Sequence, residues 1–211
     1  MIRLEKRRRI SKFWTTATPV IAVFLTMLFG GLMFGLLLGD FSSAFGAIKL
    51  IFWDPLFDDS FASYSRPQLL VKAGPIILIA IGLSIGFKAG IWNIGAEGQY
   101  ILGAIFGASV ALSLYPQESV LIFPAMILAG ALGGFIWALI PALLKVYFKT
   151  NEILVSLMLV YVAENILASV SQGLLRNPEG MGLPGSRNLK DYPSAHNSEL
   201  LVNSGMHWGV L

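Results

Sequence analysis

Apolar residues in this chain run on in long uncharged blocks instead of recurring with the period of an amphipathic helix. Ala17–Leu38 is a stretch of 22 residues without a charge. At ~1.5 Å rise per residue, such a run crosses a hydrocarbon core of ~30 Å with some tilt. Four more candidates follow: Pro67–Phe87, apolar apart from Lys72 near its start, the shorter Tyr100–Leu114, Val120–Leu144, and Ile153–Val170, which holds Glu164. A further run begins at His207–Leu211 and stops on Gly-Val-Leu with no polar tail, the ending expected of an N-terminal fragment. The pattern predicts an all-α fold: a polytopic transmembrane helical bundle with five full spans and the start of a sixth. The expectation is a single membrane domain over residues 1–211, truncated at its C-terminal end. Between the first two spans, Phe45–Phe57 is apolar and contains Trp53, as expected of a short helix lying at the interface. Gly173–Met206, rich in Gly, Pro, Asn and Ser, needs no regular structure.

Composition supports the same reading. Of 211 residues, 55% are hydrophobic and 13% charged, against about 25% charged in a soluble domain. The absence of Cys excludes a disulfide framework, a thiolate metal site and a Cys nucleophile. With two isolated His residues, no metal site is expected either. Arg3, Lys6, Arg7, Arg8, Arg9 and Lys12 all precede the first span. A long apolar run follows at once, so this cluster reads as a topology anchor and not as a nucleic-acid contact. The run is also too long for a signal-peptide core of roughly 7–15 residues. With the N-terminus inside, those six residues plus Lys88, Lys145 and Lys149 lie inside, nine against the outer Lys49, Arg66, Lys72, Arg176, Arg187 and Lys190. The expected location is a bacterial inner (plasma) membrane, multi-pass, with the N-terminus cytoplasmic. Glycines spaced by four suggest close helix contacts: Gly31 and Gly35, Gly82, Gly86 and Gly90, Gly103 and Gly107, Gly130 and Gly134. The stripe on the second span reads as a packing face.

Two segments carry the polar residues of interest. Phe87–Gly103, FKAGIWNIGAEGQYILG, places Lys88, Asn93, Glu97 and Gln99 among Gly90, Gly95 and Gly98. Such glycine density favours a broken segment between the second and third spans, which a membrane tolerates where it is buried in protein or lines a wet cavity. A carboxylate at membrane depth costs ~3 kcal/mol on insertion scales, so Glu97 needs a partner or water. Either these residues belong to a translocation path or its supporting network, or the joint is a tight cytoplasmic turn with Glu97 solvated. The second segment is Pro141–Leu157, PALLKVYFKTNEILVSL, in which Thr150 or Asn151 is placed to cap the next helix and Glu152 to favour its first turn.

GIWNIGAEGQYILGA (Gly90–Ala104) and LLKVYFKTNEILVSLMLVYVAE (Leu143–Glu164) resemble the signature stretches of ABC-importer permeases of the branched-chain amino acid, ribose and nucleoside group. The likeness is greatest to the nucleoside and simple-sugar branch and covers most of Pro67–Val170. It implies a permease subunit that translocates a nucleoside or related simple sugar and is itself no enzyme. ATP hydrolysis would come from cytoplasmic ATPase subunits, docked through a short coupling helix near Val146–Glu152. A second permease subunit and an extracytoplasmic substrate-binding protein would complete the assembly in the lipid bilayer. No cofactor and no nucleic acid are implied. Asn93, Glu97 and Gln99 become candidates for the substrate pathway, and Tyr147, Phe148, Lys149, Asn151 and Glu152 for coupling. Val160 departs from the family pattern, which often has Asn before the residue matching Tyr161. A competing reading is an ion- or proton-coupled secondary transporter using Glu97 and Glu164 as carriers.

Other literal matches are set aside. Gly180–Gly185 fits G-x-G-x-x-G but follows no strand and has Pro184 where a helix should start. Gly82–Gly86 fits G-x-S-x-G inside an apolar span, far in sequence from either His. The chain has no G-x-x-x-x-G-K-[ST] loop, so the energy for transport must come from a partner.

Overall fold

The computed structural model describes residues 11–60, 62–181, 183, 185–200 and 204–210. In chain order its helices are α1 (Lys12–Leu38), α2 (Phe41–Ile48), α3 (Asp54–Phe57), α4 (Ala62–Lys88), α5 (Ala96–Leu114), α6 (Ile122–Phe148) and α7 (Glu152–Gln172). A π-helical turn, Lys49–Trp53, joins α2 to α3. Helices α1, α4, α5, α6 and α7 are long and apolar enough to cross a membrane. All five expected spans are therefore present, with ends shifted by a few residues. Their outer side chains, among them Leu28, Phe29, Leu78 and Leu128, are exposed. That much uncovered apolar surface suits lipid and not water. Trp208–Val210, at the expected start of a sixth span, form a single 3-10 turn.

The chain divides into two compact units, residues 1–69 and 70–211. In the first, Gly39 adopts φ 68° and ends α1. Asp40 then caps α2: its carboxylate accepts from the Ser42 amide at 2.8 Å and the Ser43 hydroxyl at 2.6 Å. Gly31 and Gly35 do permit close contact, but with α2 and not with another span. A Cβ on Gly31 would meet Ile48 Cδ1 at 2.4 Å, and one on Gly35 would meet Phe41 Cδ1 at 2.7 Å. The expected interfacial segment Phe45–Phe57 is helical throughout. Arg66 Nε donates to the Leu56 carbonyl at 2.7 Å and fixes the return into α4.

In the second unit, α5 is the central element. It packs on α6 along a seam of glycines, where a Cβ on Gly103 would sit 3.0 Å from the Gly130 carbonyl oxygen, and one on Gly134 would sit 3.2 Å from that of Gln99. Backbone thus rests on backbone, the arrangement that brings helices together in lipid. On its other side α5 meets α7 through Leu102, Ile105 and Ala163, with Trp137 of α6 packed against them. Val160, the departure from the family pattern, is buried, and its Cα lies 3.2 Å from the position a Cβ on Gly98 would take. The α4 stripe behaves differently from expectation. A Cβ on Gly82 would meet nothing within 4 Å. That stripe is open and borders a cavity instead of a packed helix.

The segment after α7 has little regular structure but is not loose. Tyr192, 2% exposed, sits with Ala195 against Ala111 and Ile122, and its hydroxyl donates to the Gln117 carbonyl. Burial, then the nearby Glu118 charge, pushes its pKa above the usual phenol value. Ser194 Oγ accepts from the Ser119 amide at 3.1 Å. The Arg187 guanidinium stands 4.1 Å from the centroid of the Tyr115 ring and pairs with Glu179 at 3.1 Å. These contacts pin Arg187, Tyr192 and Ser194 onto the α5–α6 turn.

Candidate functional site

The joint between α4 and α5 is built from local rules. Gly90, at φ 76°, follows the end of α4, with Gly90 N–H bonded to the Phe87 carbonyl at 3.1 Å and Ile91 N–H to that of Gly86 at 2.9 Å. This is a Schellman closure, which needs a left-handed residue at the glycine position. Residues 91–95 carry no regular structure. Asn93 Oδ1 accepts from the Gly95 amide at 2.9 Å, an Asx turn that aims the chain into α5. Glu97 lies in the first turn of α5, where a negative charge complements the helix dipole. The expected broken segment is thus present, as seven residues between two helices.

The two segments singled out by sequence meet here. Ile94 N–H donates to Ser156 Oγ at 3.2 Å, and a Cβ on Gly95 would sit 2.6 Å from the Ser156 carbonyl oxygen. Lys145, near the end of α6, donates to Glu152 at the start of α7. A cavity of about 540 Å³ is lined by Asn93, Gln99, Gly82, Gly86, Gly130 and Gly134. A smaller one of about 160 Å³ is lined by Asn93, Gln99, Lys145, Glu152 and Ser156. Asn93 and Gln99, both half-buried, therefore border both cavities. Glu97 is exposed and lines neither, because residues two apart on a helix point to opposite sides. Glu164 is likewise exposed and lines neither.

The expected coupling segment takes a different form. Val146–Glu152 is no separate helix: Val146, Tyr147 and Phe148 complete α6, three residues turn, and Glu152 opens α7. Helix propensity carries α6 on past Lys145 until Lys149, at φ 52°, reverses the chain, its amide bonded to the Lys145 carbonyl at 3.0 Å. Asn151 Oδ1 accepts from the Ile153 amide at 3.0 Å, as expected of a cap. Tyr147 and Phe148 are 75% and 74% exposed, so both rings are free to meet a partner. Sequence reasoning missed Ser156 and the pairing of Lys145 with Glu152. The available signals were one hydroxyl in an apolar run and two opposite charges at facing span ends.

Five helices long and apolar enough to cross a membrane mark a multi-pass membrane protein. Comparison with known proteins gives its family. Residues 66–195 match the family model described as "Branched-chain amino acid transport system / permease component", and the chain belongs to that family. Among curated relatives, a glucose ABC transporter permease of Haloferax volcanii is 32% identical over 90% of this chain and 48% of its own length. A guanosine ABC transporter permease of Bacillus subtilis is 27% identical over 84% of this chain and 52% of its own. A nucleoside ABC transporter permease of Lactococcus lactis is 32% identical over 62% and 36%. The chain spans about half the length of the first two relatives. No solved structure gives a significant match.

Proposed function

We propose that this chain belongs to the permease subunit of an ATP-driven importer that moves a nucleoside or related simple sugar across the inner membrane. The observation that carries this reading is the meeting of the two signature segments. The broken joint and the α6–α7 turn adjoin one cavity, whose polar lining includes Asn93 and Gln99. A polar group facing a cavity between membrane helices serves passage of a polar solute better than it serves packing. Relatives named for glucose and guanosine support the substrate class.

In this reading Asn93 and Gln99 contact the solute or the water that accompanies it, and Glu97 acts from the first turn of α5. The N-terminus and Lys145–Glu152 face the cytoplasm, and Gly173–Met206 faces outward. Cytoplasmic ATPase subunits grip Tyr147, Phe148 and Lys149, with Asn151 and Glu152 holding the turn in shape. A second permease subunit and an extracytoplasmic binding protein complete the assembly, and the membrane domain itself catalyses no reaction. The exposed positions of Glu97 and Glu164 lend no support to an ion-coupled carrier.

Uptake of labelled guanosine and labelled glucose tests this in cells expressing the whole permease with its ATPase and binding protein. Accumulation of one or both should survive a protonophore and vanish when ATP is depleted. Accumulation that collapses with the proton gradient while ATP is held constant would contradict the reading.

A further inference from the structure

A hydroxyl in the middle of an apolar helix either bonds back to its own helix or reaches a neighbour. Ser156 does both. Its hydroxyl donates to the Ile153 carbonyl at 3.1 Å and accepts from the Ile94 amide at 3.2 Å. It is 2% exposed, so water does not replace either bond. The joint is pressed against it: a Cβ on Gly95 would lie 2.6 Å from the Ser156 carbonyl oxygen and 2.8 Å from its Cβ. From Ser156 the bonds continue in both directions. Toward the cytoplasmic turn, the Ile153 amide bonds to Asn151 Oδ1 at 3.0 Å. Toward the cavity, the neighbouring Gly95 amide bonds to Asn93 Oδ1 at 2.9 Å.

We propose that Ser156 is a positioning residue that pins the 89–95 joint to the first turns of α7, so that the α6–α7 turn and Asn93 shift together. The proposal rests on the transport reading above. Besides the pin, the joint meets α7 through packing at Gly95 and through the Trp92 amide at the Glu152 carboxylate, which lies a full turn before Ser156 at the helix end. With the pin, a displacement of residues 149–151 by a partner reaches Asn93 through the part-buried bond from the Ile94 amide to the short Ser156 side chain. A serine serves where an alanine would not, because among the described residues the Ile94 amide is bonded to the Ser156 hydroxyl alone. The two-state behaviour that coupling requires is then a property of the joint and α7 as one body.

The test uses the full-length permease assembled with its ATPase subunits in vesicles, and reads labelled nucleoside or hexose taken up per ATP hydrolysed. Ser156→Ala should leave assembly and hydrolysis near normal while lowering uptake per ATP about tenfold, the scale of losing one buried hydrogen bond. Ser156→Thr, which keeps the hydroxyl, should recover at least half of the loss. Three results would overturn the pin: an unchanged ratio in Ser156→Ala, a loss that Ser156→Thr does not rescue, or failure of Ser156→Ala to assemble, which marks a purely structural role. If the unaltered complex moves neither solute, the transport reading fails, and the pin with it.

Discussion

One methyl group placed at Gly95 should do far more harm than one placed at Gly82. A Cβ at Gly95 would sit 2.6 Å from a carbonyl oxygen of α7, well inside contact distance. That oxygen is backbone and cannot rotate away, so α7 or the joint must move by roughly half an ångström or more. Overpacking of this kind costs ~1–3 kcal/mol. Gly95 is also the N-cap of α5, and Ala is a poorer N-cap than Gly, which adds about 0.5–1 kcal/mol. At Gly82 nothing lies within 4 Å, and Gly→Ala inside a helix stabilises by roughly 0.5–1 kcal/mol. The two substitutions, identical in chemistry, should therefore differ by about 2–5 kcal/mol. For a chain of this size that corresponds to a gap of roughly 5–15 °C in midpoint. Thermal unfolding of the purified protein in detergent, followed by tryptophan fluorescence, reads the gap directly. Equal midpoints for Gly95→Ala and Gly82→Ala would refute the docking of the joint on α7.

Several other outcomes are expected. Tyr147→Ala combined with Phe148→Ala should abolish pull-down of the ATPase subunit by the full-length permease, while Lys149→Ala should do less, since buried aromatics anchor interfaces more than rim charges; wild-type capture by the double variant would move the coupling surface elsewhere. The Asp40 carboxyl, held down to about 2 chiefly by the Ser43 hydroxyl and then that of Ser42, should titrate higher in Ser43→Ala than in Ser42→Ala by NMR. Because its folded value lies below the ordinary 3.8, the cap should stabilise fully above that pH and fade as pH falls toward 2. Tyr192→Ala should speed proteolysis within residues 176–198, and unchanged cleavage would mean that the outer segment is held by other contacts. With single cysteines introduced into this cysteine-free chain, a membrane-impermeant reagent added from outside should label position 187 and spare position 149; the reverse would invert the topology.

Most of the fold was legible because lipid-spanning helices announce themselves by uncharged length. What hydropathy does not fix is where the helices stop. Helix α1 starts at Lys12 and not at Ala17, because Thr15, Thr16 and Thr18 return their hydroxyls to carbonyls four residues back and hide their polarity. Helix α6 runs through Lys145 to Phe148 for a related reason: a charge at a helix end does not break the helix. A separate coupling helix was therefore expected where the chain makes a turn. Glycine spacing found the α5–α6 seam but gave the same signal at Gly82, where the structure is open, since spacing says nothing of what stands opposite. Within the candidate site, Asn93 and Gln99 were legible as polar residues among glycines. Their separation from Glu97 follows only once α5 has a defined start and phase. Ser156 was not legible, because its partner, the Ile94 amide, lies 62 residues away and carries no side-chain signature.

The most direct test of the account is uptake by vesicles holding the complete permease and its ATPase subunits, with binding protein and labelled guanosine or glucose outside. ATP enclosed on the ATPase side should drive accumulation against a gradient. Asn93→Ala should lower that accumulation roughly 5- to 150-fold without loss of assembled complex, the scale of ~1–3 kcal/mol for a polar group left unpaired. Accumulation that needs an imposed proton gradient and ignores ATP, or that is untouched by Asn93→Ala, would contradict it.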